Sequence, residues 1–189
     1  MTSFARECMV YIGRAREFGP KDWLVYVLWI GTIFGLCAST GSFLLIGYTN
    51  GVHFPAEAWL VPIGAGMFTV AIAIDTIGHR TVYKQALADG ESLVHGITIF
   101  LGVASVVCLV LAYSQPAFAI PAMVCTVLSF IYSLVDEIFH WRRYVTQKAD
   151  RVEMSSHVLI MLGHGIMMTA WWWCYFLGYP GVSETLEFM

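Results

Sequence analysis

The chain has 189 residues, 58% of them hydrophobic and 12% charged, with a formal net charge of −3. Soluble domains carry about a quarter charged residues, so this composition excludes water as the main solvent. The small net charge, with basic residues confined to short clusters, gives no footing for a nucleic acid.

Residues 1–22 form a polar segment of mixed charge. Apolar runs poor in charge then cover 23–48, 59–79, 93–113, 118–141 and 156–178. Each is close to the roughly 20 residues with which a helix crosses a bilayer. The first run exceeds the apolar core of a signal peptide, about 7–15 residues, and is expected to remain in the mature protein. The expected fold class is an all-α integral membrane protein, with one domain of five transmembrane helices over 23–178 and a tail at 179–189. Its second to fifth helices are expected to form an antiparallel four-helix bundle, with the first helix peripheral.

All ten Lys and Arg residues fall before the first run, after the second or after the fourth. With five spans these places share one side, so the positive-inside rule puts the N-terminus in the cytoplasm and the C-terminus outside. Trp23, Trp141 and Tyr144 mark the cytoplasmic interface; Tyr48, Trp59, Tyr113, Trp171, Trp172, Trp173 and Tyr175 mark the opposite one. Gly31 and Gly35 make a GxxxG in the first span, extended by Gly41, a face small enough for close helix approach. The five cysteines show no CxxC spacing and read as reduced packing residues.

The ends of the second and fourth spans carry the same motif, Asp75-x3-His79 and Asp136-x3-His140. Each is followed, at the start of the next span, by Glu-x3-His: Glu91 and His95, then Glu153 and His157. The helix pair over 59–113 is thus repeated, in the same orientation across the membrane, over 118–178. Residues four apart share a helix face, so each motif projects a carboxylate and an imidazole side by side. His79, Glu91, His140 and Glu153 are expected near the cytoplasmic surface, with Asp75, His95, Asp136 and His157 one turn deeper.

Four carboxylates together in a low dielectric repel one another unless cations balance them, and two divalent ions supply the matching charge. Imidazole mixed with carboxylate suits iron, copper(II), zinc or manganese. The expected metal ligands are those eight residues. Glu137 makes a second, Glu-x2-His spacing with His140, and His164 lies two turns beyond His157 on the same face, as a further contact to ligands or substrate. His53 reads as a surface residue.

These windows resemble the C subunit of the particulate methane and ammonia monooxygenases, membrane enzymes that use copper and oxygen. That subunit has Asp-x3-His at a helix end and a His at the start of the next helix, then a second copy with Asn or Asp, Glu, two residues and His. Asp75, His79 and His95 match the first copy; Asp136, Glu137, His140 and His157 match the second. The closing histidine comes 16 or 17 residues after the preceding one, a little later than in that family, and the chain is shorter than most members. The resemblance implies an oxygen-activating metal site that works on a small apolar or lipid-like substrate beside partner subunits.

Four functions compete on these residues. The first is an oxidoreductase in which two ions, iron or copper, activate oxygen to hydroxylate or desaturate a hydrophobic substrate from the bilayer. It needs an external electron donor, since the chain has no flavin or nicotinamide fingerprint. The second is a metal transporter or sensor, with His164, Met161, Met167 and Met168 continuing a path outward. The third is a haem b electron carrier with two histidines as axial ligands. The fourth is a zinc hydrolase assisted by Ser92, Ser155 or Ser156. Against all four stands a ring of helix-end charges in which Arg80, Lys84, Arg142 and Arg143 pair with Asp75, Glu91, Asp136 and Glu153.

Overall fold

The computed structural model describes residues 3–82, 90–147 and 150–189. Among them the regular structure is helical: α1 (Phe4–Gly13), α2 (Pro20–Thr49), α3 (Leu60–Thr81), α4 (Glu91–Leu111), α5 (Ala119–Gln147), α6 (Arg151–Phe176) and α7 (Val182–Leu186), with short 3-10 turns between some of them. Five helices, α2 to α6, are long and apolar enough to cross a membrane. They coincide with the five apolar runs. α5 and α6 continue past the apolar edges into polar sequence, which puts Arg143 and Glu153 on regular helix.

Local chemistry explains where the spans start. Pro20 occupies the first turn of α2 and the Asp22 carboxylate accepts the Gly19 N–H at 3.1 Å, closing the helix N-terminus. α4 begins after Gly90, whose φ of 84° lies in the left-handed region that a side chain disfavours. Glu91 in its first turn sits at the positive end of the helix dipole.

Two helices have no counterpart among the apolar runs. α1 packs on α3 through buried Tyr11, whose phenol lies against the bare Cα of Gly78, where a Cβ would collide with it. α7 packs on α2 and buries Thr185. Both are too short to carry a periodic signal of their own. Their order comes from burial against a span.

The chain divides into two compact units, Met1–Lys84 with Ser155–Met189, and Gln85–Met154. In the first, α2 packs along α3, where the Cys37 thiol donates to the Pro62 carbonyl at 3.4 Å. α3 and α6 cross at two glycines: a Cβ on Gly64 would stand 2.5 Å from the Met167 backbone N, and one on Gly163 2.6 Å from that of Phe68. Without side chains there the two backbones touch, the usual device for packing helices that gain nothing from leaving lipid. Leu44, Ala58 and Cys174 are buried with Phe43, Phe54, Trp59 and Tyr179 packed against them.

In the second unit α4 lies along α5. Its buried hydroxyl residues, Ser105, Thr126 and Ser129, return their hydroxyls to carbonyls of their own helices at 2.8 Å each. Each unit therefore takes one helix from each half of the sequence repeat.

Outward faces carry aliphatic and aromatic side chains such as Val70, Phe100, Ile120 and Ile138, as lipid contact requires. Trp23, Trp141, Tyr48 and Tyr113 are exposed, whereas Trp171 and Trp172 are buried. All five cysteines are free thiols, and exposed His53 touches only the nearby Gly51 carbonyl in the hydrogen bonds described, at 3.1 Å.

Candidate metal centre

The eight expected ligands fall three to the first unit and five to the second. In the first, Asp75 on α3 stands between two histidines. Its Oδ1 is 3.0 Å from His157 Nε2 on α6, and its Oδ2 is 3.5 Å from His79 Nε2, one helical turn away. Asp75 and His157 are buried. His164, two turns along α6, is buried too, with its ring centroid 5.5 Å from that of Phe68, beside the glycine crossing.

The second unit repeats the pattern. Asp136 Oδ2 on α5 is 3.1 Å from His95 Nδ1 on α4 and 3.8 Å from His140 Nε2, one turn along α5. Ligand atoms of His95, Asp136 and His140 lie within 4.8 Å of one another, a grouping that could hold a metal ion. Each unit therefore offers two imidazoles around one aspartate. In both, the aspartate reaches its own i+4 histidine and the histidine that opens the second helix of the other repeat. Glu137 stands beside Asp136, only partly buried.

These spacings suit a metal. With metal–ligand bonds of about 2.1 Å, neighbouring ligand atoms stand about 3.0–3.5 Å apart, close to the 3.0–3.8 Å between each aspartate and its two histidines. Two histidines and one carboxylate on one side of an ion, other positions open, is the donor set of non-haem iron(II) oxygenases. Histidines and carboxylates also pair without a metal, and in its absence each imidazole can donate its N–H to the carboxylate.

The glutamates behave differently. His140 Nδ1 is 3.2 Å from Glu153 Oε1, and the same oxygen accepts from Arg143 Nη1 at 3.3 Å. Arg143 Nη2 donates to Glu91 Oε1, which is also 4.0 Å from His140 Nε2. His140, Glu91 and Glu153 are all buried. The aspartates thus meet two histidines each, whereas Glu153 meets His140 and Arg143, and Glu91 meets Arg143.

Arg143 is the residue that reading for ligands misses. Its only signal in the sequence is its place three residues after His140, where a basic residue at a helix end has a ready alternative role at the lipid headgroups. The ring of helix-end charges is thus realised in part, with Arg143 on Glu91 and Glu153. Arg80 instead pairs with Asp22 at 3.3 Å, and Lys84 lies outside the described residues. No protein-family model, curated protein or solved structure matches the chain, so the resemblance to the monooxygenase subunit stands on its two short windows of sequence.

Proposed function

We propose that this chain is a membrane-embedded, metal-dependent oxidoreductase, a non-haem oxygenase of hydroxylase or desaturase type, with one divalent ion in each Asp-His-His triad. The observation that carries the reading is the recurrence of one donor geometry in both units: Asp75 with His79 and His157, Asp136 with His95 and His140. The donors favour iron, while the sequence resemblance points to copper.

Bound there, a redox-active ion supplies oxygen activation; the protein supplies position and dryness. Asp75 and Asp136, each fixed by two imidazoles, hold the negative charge in place. The buried walls exclude water that would quench a reactive centre. His95 is the open side: 32% of its side chain is exposed, against 9% for Asp136 and 0% for His140. A shallow, mostly apolar groove on another face of α4 is lined by Gly90, Ser92, Leu93, Gly96, Ile97 and Phe100. It suits a hydrophobic or lipid-like substrate arriving from the bilayer. The bundle of the second to fifth spans, the peripheral first span and the cytoplasmic side of the motif belong to this reading on the strength of the sequence pattern and charge asymmetry. An external donor must bring the electrons, and partner subunits or further copies of the chain are its natural associates.

Elemental analysis of protein purified in detergent tests the reading. Iron or copper, with reductant-dependent oxygen uptake in lipid, supports it; stoichiometric zinc without oxygen uptake favours the hydrolase instead. The transporter reading has one observation of its own, that His164, Met167 and Met168 are buried on α6. Metal uptake into sealed proteoliposomes, lost in His164→Ala, would replace the oxygenase with a transporter.

A further inference from the structure

In the second unit one imidazole sits between two kinds of oxygen. His140 turns Nδ1 to Glu153 at 3.2 Å and Nε2 toward Asp136 at 3.8 Å. A neutral imidazole offers a metal one nitrogen and keeps the proton on the other, and a carboxylate behind that N–H fixes which is which. Glu153 is placed to hold the proton on Nδ1 and leave Nε2 for the ion. Glu153 Oε1 is engaged twice, by His140 and by Arg143, while Glu91 Oε1 is engaged by Arg143.

Charge leads to the same assignment. A guanidinium keeps its proton under all ordinary conditions, so Arg143 is a permanent cation between two buried glutamates. Three carboxylates, Glu91, Asp136 and Glu153, against one guanidinium leave two formal negative charges, which one divalent cation balances. In the first repeat the position matching Arg143 is Val82.

We infer that Arg143 is a built-in cation that withholds Glu91 and Glu153 from metal ligation, and that Glu153 is a positioning residue for His140. The ion of this unit is then held by His95, Asp136 and His140 alone. This rests on the metal reading above and narrows its eight expected ligands to six.

The test uses the full chain, purified in detergent and stripped of metal, in a His157→Ala background that leaves only this unit's site. Cobalt(II) is the probe, with its visible ligand-field bands reporting the donor set. Glu153→Gln is expected to bind one cobalt ion with unshifted bands and an affinity about 10–100-fold lower, the usual cost of losing a hydrogen-bond partner behind a metal-bound histidine. Arg143→Gln is expected to free the glutamates, so that the bands shift or a second cobalt ion enters, whereas Arg143→Lys retains one ion with the original spectrum. Loss of all binding in well-folded Glu153→Gln, or Arg143→Gln indistinguishable from the background protein, overturns the inference. If Arg143→Gln fails to fold, the Glu153→Gln spectrum decides. Cobalt fully retained by His95→Ala with Asp136→Asn in the same background would overturn the metal reading itself, a result distinct from either outcome for the glutamate and arginine.

Discussion

Asp75 and Asp136 occupy matching places in the sequence repeat and each stands between two histidines, yet what lies behind those histidines differs. Both glutamates of the duplicated motif belong to the unit of Asp136, where Arg143 joins them and Glu153 backs His140. The unit of Asp75 has Val82 where the other has Arg143, and Thr76 where the other has Glu137. Duplication explains the shared Asp-His-His pattern, while the charged residues around it differ between the two copies.

The sharpest way to break the comparison is to remove one aspartate at a time. Asp136→Asn is expected to lose the ion of its own unit and spare the other, and Asp75→Asn the reverse, read as metal content per chain. Equal loss in both variants would mean that the triads are not separate sites. Next in size is Arg143→Met, which removes the cation shared by two buried carboxylates. Breaking a buried pair in this way costs about 3–5 kcal/mol, and the metal-free protein should melt correspondingly earlier in detergent, an effect that Val82→Met in the other repeat should not share.

Smaller still is Gly163→Ala. Its Cβ would stand 2.6 Å from the backbone N of Phe68, which cannot swing aside as a side chain can. Overpacking of this kind costs about 1–3 kcal/mol, and the loss should appear in thermal stability and in the ion of Asp75 and His157, whose helices cross there. The smallest effect is expected from Arg80→Gln, since its pair with Asp22 is partly open to solvent and such pairs contribute about 0–1 kcal/mol. A larger loss would assign Arg80 a role beyond that pair.

The five spans were legible because a bilayer demands long apolar runs, a requirement written directly into composition. The Asp-x3-His and Glu-x3-His pairs were legible because helical periodicity aligns residues four apart. Arg143 was legible only as one of four cations in a charge ring, because the sequence shows cations near several carboxylates without showing which reaches which. α1 and α7 escaped notice for another reason. Tyr11 against Gly78 and buried Thr185 are tertiary contacts, and helices of ten and five residues owe their order to such contacts.

Metal content of the purified chain, measured in parallel for the wild type, His95→Ala, His157→Ala and the double variant, tests the central claim most directly. The account predicts two divalent ions per chain, one in each single variant and none in the double. A double variant that keeps the full wild-type content would contradict it.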